Sequence, residues 1–272
     1  MANWSVTVID RQRKRGMAPV HRAPQEPFAE RDGLAIGGRT GEITCTDAAG
    51  HVRWTRPVPG TPNTAHISSG RVLVTTSSID YHAWGHLGPA YLLDLADGAP
   101  VAELRGERGA ALGAGRFVLG LVGYDRFHTW QYDRDGNCTD TWRGYGHYVV
   151  GTGLRVVEVD RPTRSRVVRL LPGGVIERSA LPLTGSRPCE PVVLHDGTIL
   201  VLDAGMLRAV GRDLSGATLA ELLPVPGEED WRFVATLERT AADRLTAVIE
   251  ERDPERGTYV THTWTLALHA PR

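Results

Sequence analysis

The stretch TDAAGHVRW, Thr46 to Trp54, carries an Asp, a Gly three residues on, and a return strand that ends in Trp. An Asp side chain bonds the backbone two residues ahead and so opens a turn, and a Gly accepts the left-handed conformation that closes it. The phrase returns as LDLADGAPVAEL from Leu93, YDRDGNCTDTW from Tyr132 and RDLSGATLAEL from Arg212. LLPGGVIERS from Leu170 fills the gap without the Asp. The Asp marks stand roughly 40 residues apart, one interval being doubled, and a period near 40 with several short strands per unit predicts a β-propeller.

Working outward, alternating or β-branched runs bounded by Gly, Pro and Asp divide the chain into units of four strands of about five residues. The units run approximately 24–60, 61–105, 106–143, 144–183, 184–226 and 227–272. The last contains three strand signals, and one spare signal, WSVTVI at 4–9, lies ahead of the first unit. A propeller closes its ring or leaves sheet edges open. The expectation is therefore one all-β domain, a six-bladed β-propeller whose last blade is completed by the N-terminal strand. Residues 11–23, basic and without alternation, read as an irregular arm.

The phrases at 41–60 and 90–106 resemble a quinoprotein-type repeat, whose units read strand, Leu-Asp-x-x-x-Gly, then a strand ending in Trp. The resemblance implies a propeller. No adjacent-cysteine pair is present, and no pyrroloquinoline quinone (PQQ) is expected. WD-repeat proteins share the period, but their Gly-His and Trp-Asp phrases are missing.

The 272 residues are 41% apolar with a net charge of −1, enough for a core and without the basic footprint of a nucleic-acid binder. Lys14 is the only lysine, which leaves little scope for Schiff-base chemistry. Cys45, Cys138 and Cys189 are scattered and odd in number, and read as buried free thiols. With no apolar leader-like segment and no apolar run of membrane-spanning length, the expectation is a cytoplasmic protein that contacts no membrane. Its oligomeric state is open, with a monomer compatible.

Two patterns bear on chemistry. EPFAERDG from Glu26 and EPVVLHDG from Glu190 share Glu-Pro-x-x-x-x-Asp-Gly and each opens a unit's first strand; Asn63 occupies the matching place in the second unit. Two carboxylates and an amide converging there suit a divalent cation (Ca, Mg or Zn) or an acid–base pair. The alternative is that Glu-Pro simply caps a strand. The trio also resembles the regucalcin/gluconolactonase group, which implies a cation held by Glu and Asn. His66 and His147, on first strands with Tyr145 nearby, join Glu26 and Glu190 as candidate catalytic groups because imidazole titrates near neutrality.

The second pattern is SIDYHAWGHLGP, 78–89, read as a long loop carrying Tyr81, His82, Trp84 and His86. The matching loop of the third unit carries Tyr124, Arg126 and His128. Together with Trp231 these are the candidate ligand-binding residues, unless Tyr81 and Trp84 merely cap the loop. Two function classes follow: an enzyme on a small molecule (hydrolysis, elimination, isomerisation or cyclisation), or a non-catalytic propeller that binds a ligand or protein.

Overall fold

A computed structural model describes residues 4–16, 27–82, 85–122, 127–144, 147–150, 154–159, 165–184, 189–224, 234–252 and 258–270. Strand β1 spans Ser5–Gly16. Then come β2 Ala29–Arg31, β3 Leu34–Arg39, β4 Glu42–Asp47 and β5 Val52–Pro57. β6 Thr61–Ser68, β7 Arg71–His82, β8 Gly85–Asp94 and β9 Pro100–Arg105 follow, then β10 Arg108–Gly113, β11 Arg116–Val122, β12 Phe127–Tyr132 and β13 Cys138–Gly144. β14 His147–Val150, β15 Arg155–Val159, β16 Arg166–Leu171 and β17 Val175–Arg178 precede β18 Val192–Val193, β19 Ile199–Asp203, β20 Met206–Val210 and β21 Gly216–Glu221. β22 Val234–Ala241, β23 Arg244–Arg252 and β24 Tyr259–His269 complete the chain.

The described strands form six four-stranded sheets: β2 to β5, β6 to β9, β10 to β13, β14 to β17, β18 to β21, and one of order β1-β24-β23-β22. The expected pairing of the N-terminal strand with the last one is present, antiparallel from Ser5↔His269 to Gly16↔Tyr259. The arm expected at 11–23 is corrected over Arg11–Gly16, where β1 continues because β24 provides a partner for each of these residues down to Tyr259; residues 17–23 lie outside the described residues. The chain divides into two compact units, Arg22–Arg155 with Leu170–Ile176, and Met1–His21 with Val156–Arg169 and Glu177–Arg272.

In the first of these units, successive sheets pack face to face. Ile36, Ile43, Cys45 and Trp54 meet Ala65, Ile67, Val72, Val74 and Leu93. Leu73 and Leu92, on the opposite face of that second sheet, meet Phe117, Leu119 and Tyr132. Val72, Leu73 and Val74 are thus all fully buried, which is why β7 reads as a continuous apolar run rather than an alternation.

The Asp-Gly turns weld these sheets. Asp47 Oδ1 accepts from the Ala49 and His51 amides at 2.9 Å each, and Asp133 Oδ1 accepts from Asp135 and Asn137 in the same way. Hydrogen bonds from His51 hold the Asp47 carboxyl below its usual range, and those from Asn137 do the same for Asp133. Gly50, Gly98 and Gly136 take φ of 82°, 70° and 83°. The preceding sheet grips the turn of the next: Trp54 Nε1 donates to Leu95 O at 2.9 Å, Arg56 Nε to Gly98 O at 2.7 Å, and Arg71 Nε to Arg134 O at 2.9 Å. Trp142 Nε1 likewise reaches Leu171 O at 2.6 Å, in the turn that lacks the Asp.

In the other unit the phrase at Arg212 uses a shifted frame. Gly211 opens the turn, and Leu214 takes the left-handed position at φ 62°. Asp213 still accepts from the Ser215 amide. The core here gathers Leu200, Leu202, Leu207, Leu245, Ile249, Trp264 and Leu266 around Trp4. The Trp4 indole donates to Asp196 Oδ2 at 2.8 Å and meets His195 edge to face. Asp196 belongs to the EPVVLHDG phrase, so that phrase anchors the N-terminus.

A Cβ at Gly98 would lie 2.6 Å from Trp54 Cε3, whereas one at Gly50 meets nothing within 4 Å. Both positions are left-handed. Gly50→Ala should therefore cost about 1–2 kcal/mol, the backbone penalty alone. Gly98→Ala should cost about 1–3 kcal/mol more, because the Trp54 indole must leave its seat. Urea unfolding of the two variants side by side checks the difference.

Candidate functional site

The best-defined polar constellation among the described residues lies at the root of the β7–β8 hairpin. A register shift between Pro62 and Thr64 leaves Asn63 outside the β6–β7 ladder, as a bulged residue. Its amide closes on Ser77, with Nδ2 to Oγ at 2.9 Å and Oγ to Oδ1 at 3.1 Å, and turning the amide over adds a bond to Thr61 O. Thr64 and Thr75 hydroxyls pair at 2.7 Å, Thr40 and Thr61 at 2.9 Å, and Thr76 Oγ1 donates to Pro89 O at 2.7 Å.

Beyond this root the expected 78–89 loop proves to be strand. β7 runs to His82 and β8 starts at Gly85, paired as His82↔Gly85 and Ser77↔Leu87 with an irregular stretch between. The sequence signal for this is SSIDYH, which follows the β-branched run of β7 without a Gly or Pro. Tyr81 and His82 therefore lie in β7 and His86 in β8, on an arm formed by the part of the hairpin past Thr61↔Ser77, the last β6–β7 pair. Trp84, Tyr124, Arg126, Tyr145, Trp231 and Glu26 fall outside the described residues, and His147 is placed only as the first residue of β14. His128 is described: it stands opposite Arg143 and Leu121 and stacks on Trp130 at 5.2 Å between ring centroids.

His66, three residues from Asn63, lies against the neighbouring sheet. A Cβ at Gly109 of β10 would come within 2.8 Å of its Cδ2 and 2.9 Å of its Nε2, so the glycine makes room for the ring. Nε2 is sealed from solvent and has no hydrogen-bond partner among the described residues. Burial alone pushes the imidazole down to about 4. At neutral pH the ring is neutral and wedged between sheets, a poor seat for a proton shuttle.

In the other unit Glu190 is exposed just ahead of β18 and has no hydrogen bond or ion pair with any described residue. Behind it Cys189 is buried, which raises its thiol to about 11 and leaves it inert. Cys45 is buried as expected, but Cys138 is exposed on edge strand β13 and donates to Asp140 O at 3.3 Å, a correction to the buried assignment. No group of three His, Cys, Asp or Glu side chains converges among the described residues.

One hollow went unnoticed in the sequence. The first sheet bears a cavity of about 950 Å³ lined by Glu30, Asp32, Arg39, Glu42, Thr44 and Asp47 over Gly37 and Gly38. Its charges are largely paired within the sheet, Arg39 Nε with Glu42 at 2.7 Å and Asp32 with Arg31 at 3.5 Å. Small side chains on alternate positions were the available signal.

No family model and no curated protein matches this sequence. Solved structures do. A catalytically inactive variant of virginiamycin B lyase from Staphylococcus aureus, with quinupristin, is 10% identical, with 95% of this chain and 99% of that chain covered and a TM-score of 0.55. Hsv2 from Kluyveromyces lactis is 9% identical over 89% and 83%, with a TM-score of 0.54. AztD from Citrobacter koseri is 12% identical over 90% and 74%, with a TM-score of 0.51. The neighbours are β-propellers, and this chain has a β-propeller fold. At these identities the likeness extends to fold alone.

The His66 geometry makes a pH prediction. Its pKa is lower folded than the ordinary 6.5, so the unfolded chain binds the extra proton first. The stability tied to the neutral ring is complete above pH 6.5 and is lost as pH falls toward 4, up to about 3 kcal/mol. His66→Leu should flatten the pH dependence of the unfolding free energy across that window. Parallel curves for the two proteins would assign the acid sensitivity elsewhere.

Proposed function

We propose that this chain is a six-bladed β-propeller that binds a small-molecule ligand through the β7–β8 arm and the adjoining turn of the third sheet. The six four-stranded sheets would be the blades, with β1 as fourth strand of the last. The observation that carries the binding reading is the arm itself: β7 and β8 continue past the Asn63–Ser77 root, taking Tyr81, His82 and His86 beyond the packed sheet. Chain that projects from a packed sheet is free to serve recognition. In this reading Trp84 supplies stacking area, Arg126 an anion-binding fork, and His82, His86 and His128 hydrogen bonds.

A second reading, acid–base or cation-assisted catalysis on a small molecule, is favoured by Glu190, an exposed carboxylate with no partner among the described residues, just ahead of β18. A divalent cation is the natural ligand of such a carboxylate. His66 contributes little to it, being neutral and enclosed.

The experiment is a ligand screen by thermal shift on the wild type, followed by Trp84→Ala, His128→Ala and Glu190→Gln against each hit. The binding reading expects Trp84→Ala to weaken affinity by about tenfold or more with little change in melting temperature, as loss of a stacking platform should. A fall in melting temperature with affinity intact makes Trp84 a packing residue and overturns the arm. The catalytic reading requires turnover that Glu190→Gln abolishes, and its cation version requires a divalent metal on elemental analysis and loss of turnover in chelator.

A further inference from the structure

β1 ends the order of the last sheet, and every residue from Thr7 to Arg15 is exposed. Other fourth strands hold four to seven residues, β17 and β13 being the extremes, whereas β1 holds twelve. The excess is Arg11–Gly16, which includes Arg11, Arg13, Lys14 and Arg15 in a chain whose net charge is −1. None of these four cations has a carboxylate partner among the described residues. The edge is thus long, positively charged and, among the described residues, unpaired.

Its arginines are ordered by a bulge. Val8 pairs with Leu266, but after the extra residue Ile9 the register resumes as Asp10↔Thr265, Arg11↔Trp264, Arg13↔His262 and Arg15↔Val260. Directly opposite residues share a sheet face. Arg11, Arg13 and Arg15 therefore stand in one row on the face of Trp264, His262 and Val260, about 7 Å apart at the strand's two-residue repeat. Arg11 lies over the Trp264 ring, 5.7 Å from its centroid. Without the bulge that row would be Asp10, Gln12 and Lys14.

We propose that the β1 edge is a docking strand for an extended acidic segment of a partner protein, with carboxylates at every second residue facing Arg11, Arg13 and Arg15. The free edge supplies main-chain bonds, and the arginine row sets register through charge-assisted pairs. The same row disfavours a second copy of this chain, since antiparallel β1–β1 pairing sets cation against cation.

The test uses the full chain and a fluorescent peptide of alternating Thr and Glu, nine residues long. Anisotropy should report saturable binding at 50 mM NaCl that weakens at least tenfold by 300 mM. Arg11→Gln/Arg13→Gln/Arg15→Gln should weaken it at least tenfold at an unchanged melting temperature, since the side chains are exposed. N-methylation of alternate amides on the peptide's docking edge should abolish binding, whereas methylation of the other edge should not. Equal binding of both methylated peptides, or a heparin fragment or oligonucleotide that binds more tightly than the peptide, makes the row a general polyanion patch and overturns the proposal. Should the triple variant fail to fold, Arg13→Gln and Arg15→Gln singly carry the same comparison, and no loss in either overturns it as well.

Discussion

An indole N–H seated on the turn of the next sheet is the contact around which the described architecture of the Arg22–Arg155 unit is built. Trp54 donates to Leu95 O while its ring lies where a Gly98 side chain would be. Both requirements, a left-handed backbone and bare space above it, fall on one residue. Trp142 repeats the bond at Leu171, and Trp4 makes its counterpart in the other unit at Asp196. Each bond satisfies a buried indole donor and fixes the distance between outer strand and neighbouring turn. The apolar faces then interdigitate at a spacing already set.

That contact explains what was readable in advance. Asp, Gly and Trp recur because each has a separate physical duty within the turn and its staple, so the repeat survives in the sequence and the four-strand units with it. The pairing of β1 with β24 was legible as a count of strands. Its extent was not, because RQRKRG has no alternation of apolar and polar residues; solvent lies on both faces there. The Arg212 phrase misled for a different reason. Leu214 adopts the conformation that Gly usually holds, so the turn sits ahead of where the phrase puts it.

The candidate site was less legible than the fold. Identity of residue type placed His66 among reactive groups, yet its behaviour is decided by Gly109, more than forty positions away in sequence. Asn63 was matched to Glu26 and Glu190 by position, while the bulge at Pro62–Thr64 turns its amide onto Ser77. The length and aromatics of the 78–89 stretch suggest a loop, although its backbone continues as strand, with His82 paired to Gly85. In each case the deciding fact is a neighbour across a sheet or between sheets, which spacing along the chain does not encode.

The bulge at Ile9 has an evolutionary reading. Upstream of it Val6 and Val8 sit opposite Leu268 and Leu266; downstream every side chain reaches water. Deleting Ile9 would remove the bulge and leave the hydrophobic anchor, the ladder with β24 and the arginine row in place, because Ile9 is the residue without a partner on β24. The row changes only if the same residues pair without a bulge, which would set Asp10, Gln12 and Lys14 in it. Sequences related to this one could thus lose the residue at position 9 and keep the character of that edge, because a length change at a bulge leaves the pairing on either side of it intact.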